Sequence, residues 1–463
     1  MRRATHALFA LAALLAATPA RAASDEVDKN GAPVPSVATS LPNNGDPGGM
    51  RKWLYERGLT YSFVLTSEVH GDVAGGMRQG AVFQGKLETI VKADLEKMLG
   101  LRGLSFFTNS FEIHNTGGIR RDYVGSFNTI ANIEALATMR LSEIWLEQKL
   151  FNNTFSVRFG QLAADQEFFI ASYSDFLMTS DWPSITAQNL PSGGPAYPLS
   201  TPGIRLRYDH PGKQVSLLLA LFNGDPSGPG TDDPQSRNRY GLNFRVTDPP
   251  LLMGEAQYRY NQDKDAKGLA GIWRLGFWHH FGEFDNQRLD ANGLSLANPL
   301  STGIPARMRG TSGIYGVVDH QLYRPAGGGP DSGIGVFSRV GFSAPDRNPL
   351  EFYLDGGLVF SGMVPGRPDD KFAATFLYSR ISRDAAQLDQ ENIVFTGIPQ
   401  PIRDYELNLA VVYHAQIVPG WTLQPAIHYV IHPGGHIPDP NAAMPGVAIK
   451  DATVFSLRSV ITY

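Results

Sequence analysis

The sequence contains no cysteine, and no excess of charge of either sign. Without cysteine the chain has no disulfide, no thiolate metal site and no cysteine nucleophile. Lys and Arg number 40 and Asp and Glu 44, and their even spread argues against a nucleic-acid partner. Beyond its N-terminus the chain also lacks an apolar run of roughly 18 residues, the minimum for a transmembrane helix. Glycine (49), proline (32) and aromatic residues (11%) are instead plentiful, which favours turns and β-strands.

The N-terminus has the pattern of a secretory signal. Arg2 and Arg3 precede an apolar run at 7–17, and the Ala-Arg-Ala sequence at 20–22 offers a cleavage site. The run is too short to span a bilayer, which takes ~20 residues. We therefore expect three parts: a signal peptide at 1–23, a flexible lead-in at 24–52 and a single large domain at 53–463.

The large domain is built from segments in which apolar and polar residues alternate. At 86–95, Leu87 and Val91 fall on one face, while Lys86 and Glu88 fall on the other. A two-residue period is typical of a β-strand, and about ten residues is the length of a tilted strand that crosses a membrane. A short amphipathic helix is the alternative for this segment.

Seventeen segments of this kind follow one another, with short and long connections in alternation. They lie at about 60–70, 86–95, 104–114, 138–150, 154–161, 203–209, 214–222, 239–247, 252–261, 269–281, 311–322, 333–343, 350–361, 371–380, 404–415, 421–432 and 452–463. Short turns on one side and long loops on the other are typical of an outer-membrane barrel, whose strand number is even in bacteria. We therefore predict an all-β, transmembrane antiparallel barrel of sixteen strands, with one wrong segment between 201 and 281.

The last segment ends the chain on an aromatic residue. Phe455, Leu457 and Tyr463 share its apolar face, while Ser456 and Arg458 share its polar face. Outer-membrane barrels end in this way, because the final strand closes the barrel and is bound by the barrel-assembly machinery. The location expected for the chain is the bacterial outer membrane, in contact with its lipid and lipopolysaccharide.

The connection at 162–202 is the longest, and its aromatic residues predict a packed loop. We expect Phe168, Phe169 and Phe176 to anchor this loop to the barrel wall. Trp182 is the best candidate in this loop for stacking on a sugar ring.

Several motifs occur in an order that resembles the carbohydrate-selective porins of the OprB type. They are RFGQLAADQEF (158–168), PAYPL (195–199), PGIRLR (202–207), LFNGDP (221–226), QPAIHYV (424–430) and PGG (433–435). Each motif is weak by itself, but the ordered set is specific and extends over 53–463. The resemblance implies a sixteen-stranded outer-membrane barrel with inward-folded loops that narrow the pore, so the long loop at 162–202 is expected to be an inward-folded constriction loop. It also implies passive uptake of glucose and other small sugars.

The expected pore lining combines acidic and basic side chains near the base of the long loop. Opposed charges form a transverse field suited to polar, neutral solutes, and weak binding at several sites lets the solute leave again. The candidate pore-lining residues are Lys86, Glu88, Glu143, Trp145, Glu147, Arg158, Asp165, Glu167, Asp181, Trp182, Arg205 and Arg207. Arg158, Arg205 and Glu143 are the strongest candidates for the constriction; charges that merely solvate a wide lumen are the alternative.

Other functions remain open from the sequence. A general or anion-selective porin, an outer-membrane barrel enzyme and a soluble secreted β-protein are the alternatives, and the assembly is a monomer or a trimer. No nucleotide-binding or hydrolase motif supports an enzyme or a cofactor. The histidines at 279, 280, 414, 428, 432 and 436 lack a metal-binding spacing, so no metal site is predicted.

Overall fold

The computed structural model describes residues 26–444 and 446–463, so the expected signal peptide at 1–23 lies outside the described residues. Within that part the chain forms sixteen strands. They are β1 Leu59–Gly76, β2 Gly80–Asp94, β3 Leu104–Asn115, β4 Thr138–Leu150, β5 Phe155–Leu162, β6 Thr201–Asp209, β7 Val215–Asn223, β8 Pro250–Tyr260, β9 Gly271–Asp290, β10 Pro305–Tyr323, β11 Gly333–Ser343, β12 Leu350–Ser361, β13 Lys371–Ile381, β14 Tyr405–Val418, β15 Trp421–Ile431 and β16 Lys450–Thr462. Every strand pairs antiparallel with its neighbours in sequence, and β1 pairs with β16 to close the barrel.

Helices occur only between strands or before the first strand in the described part of the chain. The α-helices are α1 Met50–Glu56, α2 Leu95–Leu99, α3 Ser184–Asn189, α4 Pro234–Arg237, α5 Arg383–Thr396 and α6 Pro433–His436. Short 3-10 turns lie at Val37–Ser40, Pro42–Gly45, Ala164–Gln166, Ser172–Ser174 and Pro191–Gly193, and a π-turn at Arg120–Val124. None of the helices in the described ranges is long and apolar enough to cross a membrane.

The alternating segments face the way their pattern predicts. On β16, Phe455 and Leu457 are half exposed on the outer surface, while Ser456 and Arg458 are only 6% exposed inside. Apolar residues outside and polar residues inside are what a barrel in lipid requires. The segment at 86–95 is likewise a strand up to Asp94, whose side chain accepts a hydrogen bond from Lys97 N and caps α2.

One of the seventeen expected segments is not a strand: residues 239–247 belong to the long connection between β7 and β8. β5 ends at Leu162, so its pairing with β4 extends only from Ile144 to Leu150 and leaves the upper part of β4 without that partner. The 239–247 segment lies against this part, where Tyr240 O accepts a hydrogen bond from Leu141 N (3.0 Å). The approach requires glycine at 241, because a Cβ there would lie 1.9 Å from the Leu141 carbonyl oxygen.

The apolar side chains of this segment explain why it resembles a strand. Tyr240, Leu242, Phe244 and Val246 are 49–74% exposed, so every second residue faces away from the protein. The two-residue period therefore arises from a segment that lies beside β4 with its apolar side chains exposed. With this segment removed from the count, the strand number is even and both chain ends lie on one side, the periplasmic side by the barrel rule.

The described part of the expected lead-in packs against the barrel seam. α1 continues past the expected boundary at residue 52, and Arg51 is 1% exposed between the rings of Tyr61 and Tyr463. Ser36 donates a hydrogen bond to Thr462 O (3.2 Å), and Tyr463 donates one to Gly45 O. Residues of the lead-in thus contact the last two residues of the chain.

Candidate functional site

The loop between β5 and β6 lies in the barrel interior and is held to the inner wall at β8, β10 and β11 by two strand carboxylates and an arginine. Glu255 on β8 accepts a hydrogen bond from Phe169 N (3.2 Å), and Asp319 on β10 accepts from Tyr173 N (3.0 Å). Arg339 on β11 donates to the carbonyl oxygen of Asp181 (2.9 Å). The backbone groups of an irregular segment are thereby satisfied inside the barrel.

Aromatic packing adds to these anchors. Phe168 and Phe169 are 1% and 2% exposed, and Phe169 stacks on Tyr315 with ring centroids 3.5 Å apart. Trp182 meets Phe169 edge to face at 5.3 Å and is only 5% exposed. Its rings face protein, so the position of Trp182 differs from the expected stacking site for a sugar; its neighbours Phe169 and Leu190 occupy the space beside it.

A second loop, at 116–137, also folds inward and meets the first. Glu406 on β14 accepts hydrogen bonds from Ser126 Oγ (2.5 Å), Phe127 N (3.0 Å) and Asn128 N (2.8 Å). Asn132 donates to Ser180 O (2.8 Å), which joins this loop to the β5–β6 loop. The two loops together narrow the lumen.

Four charged side chains meet where the β5–β6 loop leaves the wall, and we call Glu147, Arg158, Glu167 and Arg205 the charge quartet. Three of the four lie on strands, and strand register brings them together: Glu147 lies opposite Arg158, and Arg158 lies opposite Arg205. All three face inward on β4, β5 and β6. The loop residue Glu167 completes the set.

The distances within the charge quartet are those of a fully connected network. Arg205 donates to Glu147 Oε1 from Nη2 (2.7 Å) and to Glu167 Oε2 from Nε (2.7 Å). Arg158 Nη2 and Nη1 lie 3.4 Å from Glu147 Oε2 and Glu167 Oε1. Two cations on directly opposed positions would repel each other, so the two carboxylates between them are required for this register.

Arg158 and Arg205 stabilise the negative charge of the Glu167 carboxylate. Burial alone would raise the pKa of the Glu167 carboxyl, but the positive charges of Arg158 and Arg205 outweigh burial and hold that pKa below its ordinary value. Arg158 also stacks on Trp145, with Cζ 3.8 Å from the ring centroid, and Trp145 stacks on Phe107 at 4.7 Å. Both faces of Trp145 are therefore covered.

The sequence matches a known protein family over most of its length. The family described as "Carbohydrate-selective porin, OprB family" matches residues 78–463. The chain belongs to the OprB family of carbohydrate-selective porins. It is therefore an outer-membrane porin, located in the bacterial outer membrane and selective for carbohydrates, and the prediction from its motifs is confirmed.

Individual relatives agree with the assignment to the OprB family. Porin B of Pseudomonas aeruginosa is 24% identical over 432 residues, which cover 89% of this chain and 90% of the relative. The high-pH structure of Pseudomonas putida OprB superposes with a TM-score of 0.75 at 21% identity, covering 91% of this chain and 98% of that one. The outer-membrane channel DcaP of Acinetobacter baumannii has a TM-score of 0.50 at 10% identity, covering 88% and 97%. These structures establish the sixteen-stranded fold.

Two other expected site residues of this OprB-family porin, Glu143 and Asp165, are buried, and a third, Asp181, is half-buried. Glu143 is 5% exposed and accepts a hydrogen bond from Ala163 N (3.0 Å), so it fixes the start of the loop. Asp165 is 3% exposed and accepts from Tyr197 N (3.0 Å), across the base of the same loop. Thr129 donates to Asp181, which links the two inward loops. All three acids therefore bind loop residues, and their part in lining the pore stays a prediction.

Three expected residues, Lys86, Glu88 and Arg207, lie on the inner wall away from the charge quartet. Lys86 Nζ lies 3.3 Å from Glu88 Oε2, and Asn109 donates to the other oxygen of Glu88 (2.8 Å). Arg207 donates from Nε to Asp209 (2.8 Å). Arg207 lies two residues after Arg205 on β6, nearer the turn that follows this strand. Sequence reasoning missed Asn109 and Asp209, although both lie on the inward parity of their strands.

Proposed function

We propose that the charge quartet is the narrowest part of the diffusion path, and that glucose and other small sugars cross it passively. The observation that carries the proposal is the balance of charge near the base of an inward loop. Arg158, Glu147 and Glu167 have side chains 16%, 11% and 13% exposed, so each presents a polar edge to the lumen. The Arg205 side chain is 2% exposed and forms ion pairs with Glu147 and Glu167.

The chemistry of such a ring suits a neutral polyol. Guanidinium groups donate and carboxylates accept, so a passing hydroxyl group exchanges water for protein partners without a net charge on the solute. Two cations and two anions leave the ring neutral, which gives little preference for anions such as phosphate. An anion-selective porin would need arginine and lysine without balancing acids, and a general porin would need a wider lumen than two inward loops leave.

Planar-bilayer recording of the purified protein tests this proposal. We expect a small, steady conductance that falls as glucose is added, because the sugar occupies the path that ions use. A channel that conducts without block by any sugar would overturn the selectivity, and a protein without ion current would overturn the transport role. Liposome swelling with a panel of sugars and amino acids then defines the substrate range.

Several further expectations belong to the same proposal. Residues 1–23 are removed as a signal peptide, residues 24–52 serve as a lead-in to the barrel, and 53–463 form the porin domain. The barrel-assembly machinery binds the last strand with Tyr463, and outer-membrane lipid and lipopolysaccharide surround the apolar outer face. The protein has no enzymatic activity and acts as a monomer or a trimer. Cross-linking in outer-membrane vesicles distinguishes the two assemblies.

A further inference from the structure

Two histidines and an aspartate meet at the end of the barrel opposite the chain termini. Asp404 immediately precedes β14, and His432 immediately follows β15, so strand pairing brings the two together. His436 lies at the end of the turn α6, whose glycines at 434 and 435 return the chain toward Asp404. We call Asp404, His432 and His436 the rim cluster.

The backbone around the rim cluster is fixed by buried and half-buried partners. His432 N donates to Asp451 Oδ1 (3.0 Å), and Gly434 N donates to Glu406 Oε2 (2.6 Å). Asp404 N donates to Gly435 O (3.1 Å), which joins the two connections directly. The three side chains therefore project from a defined framework of hydrogen bonds.

The side chains supply one ligand atom each within a small volume. The carboxylate oxygen and the two imidazole nitrogens all lie within 4.8 Å of one another, and His432 Nδ1 is 2.9 Å from Asp404 Oδ1. Bonds of 2.0–2.1 Å in a tetrahedral site place neighbouring ligand atoms about 3.3 Å apart. The 2.9 Å separation is close to that value and no separation exceeds 4.8 Å, so side-chain rotations can complete the geometry.

We propose that the rim cluster binds a divalent transition-metal ion, with zinc as the ion that suits it best. Two imidazoles and one carboxylate are a ligand set that zinc accepts, whereas calcium and magnesium prefer oxygen ligands alone. The side chains of Asp404 and His432 are 41% and 28% exposed, so an ion from the medium reaches them. A water molecule or a solute takes the fourth position, since the protein supplies three ligands.

A bound ion would connect two of the long connections on this side. Asp404 ends the connection that contains α5, and His436 lies in the connection between β15 and β16. Glu406 accepts a hydrogen bond from Gly434 N beside the rim cluster, and it also accepts hydrogen bonds from the inward loop at 116–137. Metal binding therefore stabilises the framework that supports one of the two loops narrowing the lumen.

The competing interpretation is a simple hydrogen-bonded pair of His432 and Asp404, with His436 stacked on it at 4.3 Å. The chain offers a matched control for that case. His114 Nδ1 lies 3.1 Å from Glu112 Oε2, with side chains 44% and 42% exposed, and no second histidine is grouped with that pair in the part of the chain that the structure describes. If the rim cluster were only a hydrogen-bonded pair, His432–Asp404 and His114–Glu112 should respond to zinc in the same way.

Zinc titration of the purified, EDTA-treated and dialysed full-length porin in detergent tests the proposal by calorimetry. We expect one zinc ion per chain for the wild type and for His114→Ala. Asp404→Asn and His436→Asn should weaken zinc binding by about tenfold or more. Asparagine tolerates the positive φ of 70° at position 436. Heat-modifiable gel migration verifies that each variant forms a barrel.

A second measurement uses stability instead of heat of binding. Zinc should raise the unfolding temperature of the wild type and of His114→Ala, but not that of Asp404→Asn or His436→Asn, because a ligand stabilises only the state it binds. Failure of the wild type to bind zinc would overturn the proposal. Equal binding by the wild type and both rim-cluster variants would overturn it as well, because the ion would then lie elsewhere. Neither result would affect the sugar-transport proposal.

Discussion

Arg205 donates two parallel hydrogen bonds to Glu167, from Nε to Oε2 at 2.7 Å and from Nη2 to Oε1 at 2.9 Å. Arg205 belongs to the barrel strand β6 and Glu167 to the inward loop, so this pair of hydrogen bonds joins the loop to the barrel wall. Bidentate arginine–carboxylate pairs combine strength with fixed geometry. The position of the β5–β6 loop therefore depends on a strand residue whose own side chain is only 2% exposed.

Replacing Arg205 with alanine should loosen the loop and change ion selectivity. The variant leaves Glu147 and Glu167 with only Arg158 between them, and removing one partner from a buried pair costs about 3–5 kcal/mol. The remaining excess of one negative charge should shift the channel toward cations. The reversal potential in a KCl gradient measures that shift, and glucose block should weaken in the same recordings.

Two further variants separate charge from geometry in this first prediction. Arg205→Lys keeps the charge but loses the planar fork, so we expect near wild-type ion selectivity with a noisier channel. Arg158→Ala removes an equal charge from a more exposed position, so the conductance should rise with less noise. Unchanged conductance and sugar block in both alanine variants would place the constriction elsewhere.

The pH dependence of channel noise should follow the ionisation of Glu167. The pKa of Glu167 in the folded protein is below its ordinary value of 4.5, because the charges of Arg158 and Arg205 outweigh burial. The stabilisation from these pairs is therefore complete above pH 4.5 and is lost as pH falls through the lower pKa of the folded protein. Single-channel traces should be equally quiet at pH 7 and pH 5, and noisy only below about pH 4.5.

Glu167→Gln serves as the control for this pH profile. It removes the charge at every pH while it keeps the shape, so its traces should already be noisy at neutral pH. A wild-type channel that becomes noisy between pH 7 and pH 5 would show that another group controls the loop.

The second inward loop should depend on one carboxylate, Glu406. Glu406→Ala leaves the N–H groups of Phe127, Asn128 and Gly434 without their acceptor, and each buried unsatisfied group costs about 1–3 kcal/mol. We expect the loop at 116–137 to become accessible to proteases and the conductance to rise. Glu391→Ala removes a carboxylate that pairs with Arg288, and it should leave the conductance at the wild-type level.

The orientation of the strands could be read from the sequence because it follows from a two-residue period. That period alone predicts seventeen segments, and the number sixteen comes from the rule that bacterial barrels have an even number of strands. That period reports which side chains face outward, and it does not report backbone pairing, so 239–247 is indistinguishable from a strand by pattern alone. The position of Arg158 could be predicted in the same way, from its parity on β5. Glu143 has the same inward parity, but its burial depends on where Ala163 places the loop backbone.

Residues in loops carry no such period, and their roles depended on tertiary contacts. Trp182 is aromatic in an inward loop, which equally suits a sugar platform or a packing contact, and only its neighbours decide between them. The rim cluster could not be found from histidine spacing, because Asp404 joins it from a different connection. Glu167 was identified by its charge alone, and its fork with Arg205 could not be predicted.

The seam between β1 and β16 gives the last prediction, which concerns stability. Arg51 Cζ lies 4.4 Å from the ring centroid of Tyr61 and 4.7 Å from that of Tyr463, and backbone hydrogen bonds join Tyr463 to Phe63 in both directions (2.8 and 2.9 Å). A cation–π contact contributes about 0.5–1 kcal/mol when exposed and about 2 kcal/mol when desolvated. Arg51→Ala should therefore destabilise the folded barrel by about 2–4 kcal/mol.

The measurement is the temperature at which the barrel loses its heat-modifiable gel migration, and it should fall for Arg51→Ala. Arg57→Ala is the matched control, since Arg57 stacks on Trp53 at 4.1 Å in the same region but on the exposed surface. Deleting Tyr463 removes both the ring and the closing hydrogen bonds, so it should impair assembly in the outer membrane more than Arg51→Ala does. If the two arginine variants unfolded at the same temperature, the contact between the lead-in and Tyr463 would have no part in closing the barrel.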